Sequence, residues 1–310
     1  MYKTLEDIAI AREIIPCPGD TLAEHIEYTG MTQAELAERM GRPKKTINEI
    51  IHGKAQITPA TALQLERVVG IPADFWIELE RRYRLTLAEI DESEILLQAG
   101  EWSKRFPCRA MKNLGWISFE NGSMNAGKAL LAWFNVASPS AYEKFYHGQV
   151  YATAYRMSEK NSKGPYAVAA WLRQGERQAD VMEVPDFDKK AFEETLPLLR
   201  RLMVSGADNF FLDLQALCQK VGVKVVHTPS LPKALLHGST RWVKGRPLIQ
   251  LSNRFNRNDI FWFTFFHEAG HILKHNKKDV FVEGLDYSSD GKEKEAEANA
   301  FAEGWMISDT

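Results

Sequence analysis

Cysteine is scarce. The chain has three in 310 residues, Cys17, Cys108 and Cys218, far apart and with no Cys-x-x-Cys pair. That argues against a disulfide framework or a thiolate zinc site and fits a reducing cytosol. No stretch approaches ~18 uninterrupted apolar residues, so no segment is predicted to span a membrane. The N-terminal MYKTLEDIAIAREII is broken by acids and lacks the apolar core of a signal peptide, so a cytoplasmic protein is expected. Charge of one sign is missing too. With 39 basic and 41 acidic side chains the net charge is −2, and no global field points to a polyanionic partner. Any nucleic-acid surface must be local. Internal repeats and low-complexity tracts are also absent.

What is present begins with a run of short helical patterns over residues 20–84. DTLAEHIEYTG follows Pro18-Gly19 and stops at Gly30. TQAELAERMG starts at Thr32 with Glu35 three residues on, the pattern of a capping box, and Gly41 closes it. PKKTINEIIHG places Pro43 at the first helical position and Gly53 at the stop. TPATALQLERVVG and PADFWIELERRYR complete the set. The pair TQAELAERMGRPKKTINEI has the shape of a helix-turn-helix. Leu36, Ala37 and Met40 are expected to face inward, with Ile47, Ile50 and Ile51 packing the second helix. Over residues 42–54, Arg42, Lys44, Lys45 and Lys54 stand against Glu49 alone, a local net charge of +3. Residues 1–85 as a whole are slightly acidic, so the basic face belongs to one helix. A small helical interaction bundle with a solvated basic face would show the same features.

The segment from PGDTLAEHI through INEIIHGK, ITPATALQL and PADFW resembles the Xre-type repressor domain of the HigA antitoxin branch. The resemblance implies that the helix from Pro43 to His52 enters the major groove of operator DNA. Arg42, Lys44, Lys45, Thr46 and Asn48 would then face bases or phosphates, and Gln33 would hold a phosphate. Such domains usually bind two half-sites, so a homodimer is expected.

Residues 86–200 carry helical stretches between polar loops and show no chemistry. Trp102, Trp133, Trp171 and Trp262 are expected in the core. Residues 186–188 suggest a linker or turn. NFFLDLQALCQKVG then predicts a helix over 209–222, VKVVHT, STRWV and PLIQLS predict strands, and two helices follow. The fold class expected is α+β and predominantly helical, an all-α helix-turn-helix domain plus a small-sheet, zincin-like C-terminal domain.

The most specific stretch is FFHEAGHILKH, residues 265–275. His267 and His271 are spaced i, i+4, so a helix puts both imidazoles on one face, roughly 6 Å apart along its axis. Two nitrogens there can share one zinc, and Glu268 sits beside the metal, where it can move a proton. Two histidines and a glutamate so close also arise by chance in core helices, so a third ligand decides. His275 is excluded because ~12 Å of helix separates it from His267. A third histidine of the metzincin type is excluded because Lys274 and Lys277 occupy the positions where that class needs Gly and His. The final helix, KEKEAEANAFAEGWM, offers Glu293, Glu295, Glu297 and Glu303. With Phe301, Ala302, Trp305 and Ala298 taken as its buried stripe, Glu297 is the carboxylate expected to point inward, and Glu295 and Glu303 are expected in solvent.

HEAGHILKH followed by EAEANAFAEGWMI, with PLIQLSNRFNRNDIFWFTF and GVKVVHTPSLPKALLHGSTRW upstream, resembles the ImmA/IrrE metallopeptidase family over roughly residues 205–307. The resemblance implies a Zn2+ site of His267, His271 and Glu297, with Glu268 as catalytic acid/base. Family members cut a partner repressor, often of the Xre type. The sequence departs from the family at its end, where Ser308 stands in place of a proline and the chain stops at Thr310. That departure bears on closure of the site and on substrate binding. Three parts are expected: a DNA-binding domain over 1–85, a mainly helical middle region over 86–200, and a zinc-peptidase domain over 201–310. The function expected is a DNA-binding regulator whose peptidase cleaves a repressor-type partner or itself. The alternative is a HigA-like antitoxin and autorepressor that neutralises a toxin by contact, with a non-catalytic zinc site.

Overall fold

A computed structural model describes residues 2, 4–119, 122–150, 164–206, 208–234, 236–252, 257–277, 280–282 and 289–307. The chain divides into two compact units, residues 1–98 and 99–310. The three expected segments are thus shared between two units. Residues 86–98 belong with the first, and residues 99–200 belong with the sheet in the second.

The first unit is helical. It comprises α1 (Leu5–Ile14), α2 (Pro18–Tyr28), α3 (Gln33–Met40), α4 (Lys44–Ile51), α5 (Pro59–Val69) and the start of α6 (Ala73–Ser103). Side-chain caps set several starts. Thr32 Oγ1 accepts from Glu35 N at 3.1 Å. The expected capping box is only half formed, because the Glu35 carboxylate pairs with Arg39 one turn on. Pro43 is the N-cap of α4, not its first helical residue. Gly41 adopts φ 64, a left-handed C-cap that turns the chain sharply from α3 into α4. A Cβ on Gly19 would lie 2.2 Å from the Ile51 carbonyl oxygen, so glycine lets α2 pack directly on the end of α4. The core joins Leu22, Leu36, Met40, Ile47, Ile50, Leu65 and Trp76, as the spacing predicts for the helix pair. Helix α6 runs 31 residues, merging two expected helices, because RLTLAEIDE contains neither Gly nor Pro to break it.

In the second unit, α7 (Cys108–Asn113), α8 (Met124–Phe134), α9 (Pro139–Tyr142) and a π-helical segment (Glu143–Val150) precede α10 (Pro165–Asp180). Then come α11 (Lys189–Ser205), α12 (Phe210–Lys220), β1 (Lys224–His227), β2 (Gly238–Val243) and β3 (Arg246–Leu251). Helix α13 (Asn258–Lys274), β4 (Phe281–Val282) and α14 (Ser289–Met306) follow. The sheet order is β1-β3-β2-β4, with β1 parallel to β3 and the other pairs antiparallel. Lys244 and Gly245 both take positive φ, as a two-residue β2–β3 hairpin requires.

Both sheet faces are covered, which is why β3 is buried at nearly every position. One face packs Val225, Ile249 and Leu251 against Trp262, Phe265 and Phe266 of α13. The other meets α10. Gln250 Nε2 donates to the Trp171 carbonyl at 2.7 Å, and Trp171 Nε1 donates to the Thr228 carbonyl at 3.0 Å. Arg241, also buried, donates to the Leu172 carbonyl and to Gln250 Oε1. Part of the supposed middle region is therefore a structural layer of the sheet. Trp102, Trp133, Trp171 and Trp262 are all buried, as expected. No helix among the described residues is long and apolar enough to cross a membrane. Ser308, where the sequence departs from its family, lies outside the described residues.

Candidate metal centre and nucleic-acid interface

Helix α13 is apolar nearly all round, and residues 264–273 are buried without a break. His267, Glu268 and His271 are therefore buried too, at 1%, 0% and 2% exposure. Strand β2 presses on them. Thr240 Oγ1 donates to the Glu268 carbonyl at 3.1 Å. A Cβ on Gly238 would stand 2.6 Å from Glu268 Oε1, so glycine there makes room for the carboxylate.

His267 Nε2 and His271 Nε2 lie 3.0 Å apart. Two nitrogens bound tetrahedrally at about 2.0–2.1 Å would stand about 3.3 Å apart. Glu295 of α14 completes the group. Its Oε2 is 3.2 Å from His267 Nε2 and its Oε1 3.5 Å from His271 Nε2. Ligand atoms of these three residues all lie within 4.8 Å of one another. Burial, then the neighbouring His267, His275 and Lys294, pushes His271 down to about 2, so it is neutral, the form that ligates metal. Asn299 Oδ1, 2.9 Å from His267 Nδ1, takes that nitrogen's proton in a hydrogen bond and leaves Nε2 its lone pair. Glu295 Oε1 is buried without a hydrogen-bond partner. Acceptors converging on one point are what a cation satisfies, so the donor set fits a divalent metal with two nitrogens and one carboxylate.

The third carboxylate is a correction. Glu297 is not the carboxylate beside His267 and His271. It is exposed, and its Oε2 lies 3.1 Å from His275 Nε2. Among the described side chains of α14, Ala298 and Ala302 are wholly buried, while Phe301 and Trp305 are only partly buried. At about 100° per residue, Glu295 lies within about 60° of Ala298 and 20° of Ala302. Glu297 lies about 100° and 140° away. Taking the two alanines as the stripe, without the aromatics, would have found Glu295. Asn299, one turn on from Glu295, was not readable by that step, because it lies about 100° from Ala298 and is exposed. Phe281, stacked on His271 at 3.9 Å between ring centroids, was not readable either, because a two-residue strand carries no pattern.

In the first unit, α4 buries Ile47, Ile50 and Ile51 and leaves Lys44, Lys45 and Asn48 exposed. Thr46 and Gln33 are half-buried. Arg42 is half-buried as well, and its Nε donates to Gln64 Oε1, so it is less available than the lysines. Lys45 makes only a long contact of 3.8 Å with Glu49. Lys44, Lys45 and Asn48 thus lie within about 100° of one another around the helix, on its exposed side.

Comparison with known proteins matches both units. A helix-turn-helix family model matches residues 29–76, and a peptidase family model described as the IrrE N-terminal-like domain matches residues 218–310. The HTH-type transcriptional regulator YddM of Escherichia coli is 31% identical over 74 residues, 24% of this chain and 79% of that protein. Repressor protein C of Rhizobium phage 16-3 is 37% identical over 81 residues, 26% of this chain and 28% of the repressor. The solved structure of an addiction module antidote protein of the HigA family from Coxiella burnetii is 28% identical. It covers 26% of this chain and 88% of that one, with a TM-score of 0.25.

Proposed function

We propose, from the premise that this chain belongs to the Xre-like helix-turn-helix regulators and carries an IrrE-like peptidase-family domain, that it binds operator DNA and hydrolyses a peptide bond in a repressor-type partner or in itself. The observation that carries this reading is the convergence of His267 Nε2, His271 Nε2 and the Glu295 carboxylate, with the buried Glu268 adjoining His267 in the chain. Zinc is the metal that two imidazoles and one carboxylate suit best, and when bound it polarises a carbonyl and lowers the pKa of water to about 7.

The chain supplies the rest. His267, His271 and Glu295 would hold the ion. Glu268 follows His267 directly, so it would stand beside that ion without ligating it. There its carboxylate takes the proton from the attacking water and returns it to the departing amine. Gly238 keeps space for that carboxylate, and the apolar walls of α13 exclude bulk water. In the first unit, α4 offers Lys44, Lys45, Thr46 and Asn48 to the major groove, and Gln33 lies at the start of α3, where a phosphate is held. Two copies would occupy two half-sites.

The test is labelling of new peptide N-termini in cells that express the wild-type chain or Glu268→Gln. New ends that appear only with wild type are expected. Identical ends in both would contradict the peptidase reading, and intact operator repression in the variant would then favour an autorepressor of the antitoxin kind.

A further inference from the structure

The residues nearest the three ligands form a chain that the proposed function does not use. His271 Nδ1 lies 2.9 Å from His275 Nδ1, and His275 Nε2 lies 3.1 Å from Glu297 Oε2. Side-chain exposure rises along it, from 0% at His271 to 4% at His275 and 59% at Glu297. We propose that His275, held by Glu297, is a positioning residue that fixes the tautomer and aim of His271 and so sets metal affinity without touching the metal. This rests on the reading of His267, His271 and Glu295 as the ligands.

Each proton in the chain is determined by the next group. The Glu297 carboxylate is an acceptor only, so His275 Nε2–H donates to it. For His271 Nε2 to present a lone pair to a metal, the ring proton must sit on His271 Nδ1 and be donated to His275 Nδ1. That makes His275 Nδ1 the acceptor, which agrees with its proton being on Nε2. His271 Nε2 is the nitrogen facing His267 Nε2 and Glu295. His267 reaches the same state through Asn299 Oδ1. Two different supports therefore yield two like-oriented ligands.

The ring planes are fixed as well. Phe281 stacks on His271 at an interplanar angle of 14° and lies 5.2 Å from the His275 ring centroid. Phe281 is itself pinned by β2, where Ser239 Oγ donates to its carbonyl at 2.7 Å. Stacking limits the tilt of His271, and the hydrogen-bonded chain selects which nitrogen faces the site. Outer supports of metal-bound histidines typically change affinity 10- to 100-fold when removed.

The test is the zinc dissociation constant of the full chain, read by competition with a chromophoric chelator, together with the visible spectrum of the cobalt-substituted protein. His275→Ala is expected to weaken zinc about 10- to 100-fold and to shift the cobalt bands. Glu297→Ala, which removes the acceptor, is expected to weaken zinc in the same direction with the melting temperature of the metal-free protein unchanged, since the residue is exposed. It must have no further effect in a His275→Ala background, because it acts only through His275. His275→Asn, whose Oδ1 can take the place of Nδ1 as acceptor, is expected to regain affinity and to stop responding to Glu297→Ala. An unchanged constant in His275→Ala, or additive losses in the double variant, overturns the positioning role while the zinc site stands. If His275→Ala does not fold, Glu297→Ala alone decides, and an unchanged constant there overturns the proposal. Absence of zinc from wild type, or its retention in Glu295→Gln, overturns the ligand reading and this inference with it.

Discussion

Helices α4 and α13 each bear a cluster of polar side chains and treat them in opposite ways. On α4 the polar groups stand in water while one isoleucine stripe is buried. On α13 the histidines and the glutamate are buried, with His267 stacked against Phe263 and His271 against Phe281. The difference follows from what each kind of ligand demands. A DNA groove arrives from solvent and is met by hydrated donors on a helix docked along its other side. Metal-assisted hydrolysis demands a dry cavity, where charge interactions are strong and imidazoles stay neutral. An exposed site therefore keeps the amphipathic period of a surface helix. A buried site removes that period, and motif spacing is all that remains.

The largest effect expected is in the buried site. Glu268→Gln should reduce peptide hydrolysis about 10²- to 10⁴-fold while metal content is unchanged, as measured by N-terminal labelling and metal analysis together. Next, Ile47→Ala should remove about 2–5 kcal/mol from the stability of the first unit and abolish DNA binding, leaving bound metal in place. Calorimetry and metal analysis on the same sample check it, and joint loss of both activities would break the contrast between the regions. Gly238→Ala should be milder. Its Cβ would meet Glu268 Oε1 at 2.6 Å and Thr264 Cγ2 at 2.7 Å, so overpacking costs about 1–3 kcal/mol and displaces the carboxylate. A lowered turnover with intact DNA binding is the expected result. The smallest effect is on the exposed face. Lys44→Ala or Lys45→Ala should weaken binding to every DNA sequence alike and lower the salt-dependence slope by about 1, with thermal stability unchanged.

These two environments also explain what the sequence reveals. The first unit was legible because Thr32, Gly41 and Thr58 punctuate helices whose apolar spacing is regular. His267 and His271 were legible from their spacing alone. Glu295 was misjudged as solvated because the large aromatics Phe301 and Trp305 drew the stripe to the wrong side of α14. The small residues Ala298 and Ala302 mark the true contact, since α14 packs closely on α13 there. Phe301 packs on one flank of that contact, against Gly270 of α13, and Glu295 stands on the other. The layer formed by α10 was not legible either, because its ties to the sheet run between backbone carbonyls and the side chains of Gln250 and Arg241, far away in sequence. Helix α11, 17 residues with Pro197 in its interior, was not among the elements the sequence suggested.

The central claim is that two imidazoles and Glu295, not Glu297, form the metal site. Mass-spectrometric metal content after equilibration in zinc-buffered solution tests it most directly, on wild type, Glu295→Gln and Glu297→Gln. The account predicts about one zinc per chain in wild type, its loss in Glu295→Gln and its retention in Glu297→Gln at saturating zinc. Loss in Glu297→Gln with retention in Glu295→Gln would contradict it and return the third ligand to the residue that the aromatic stripe first suggested.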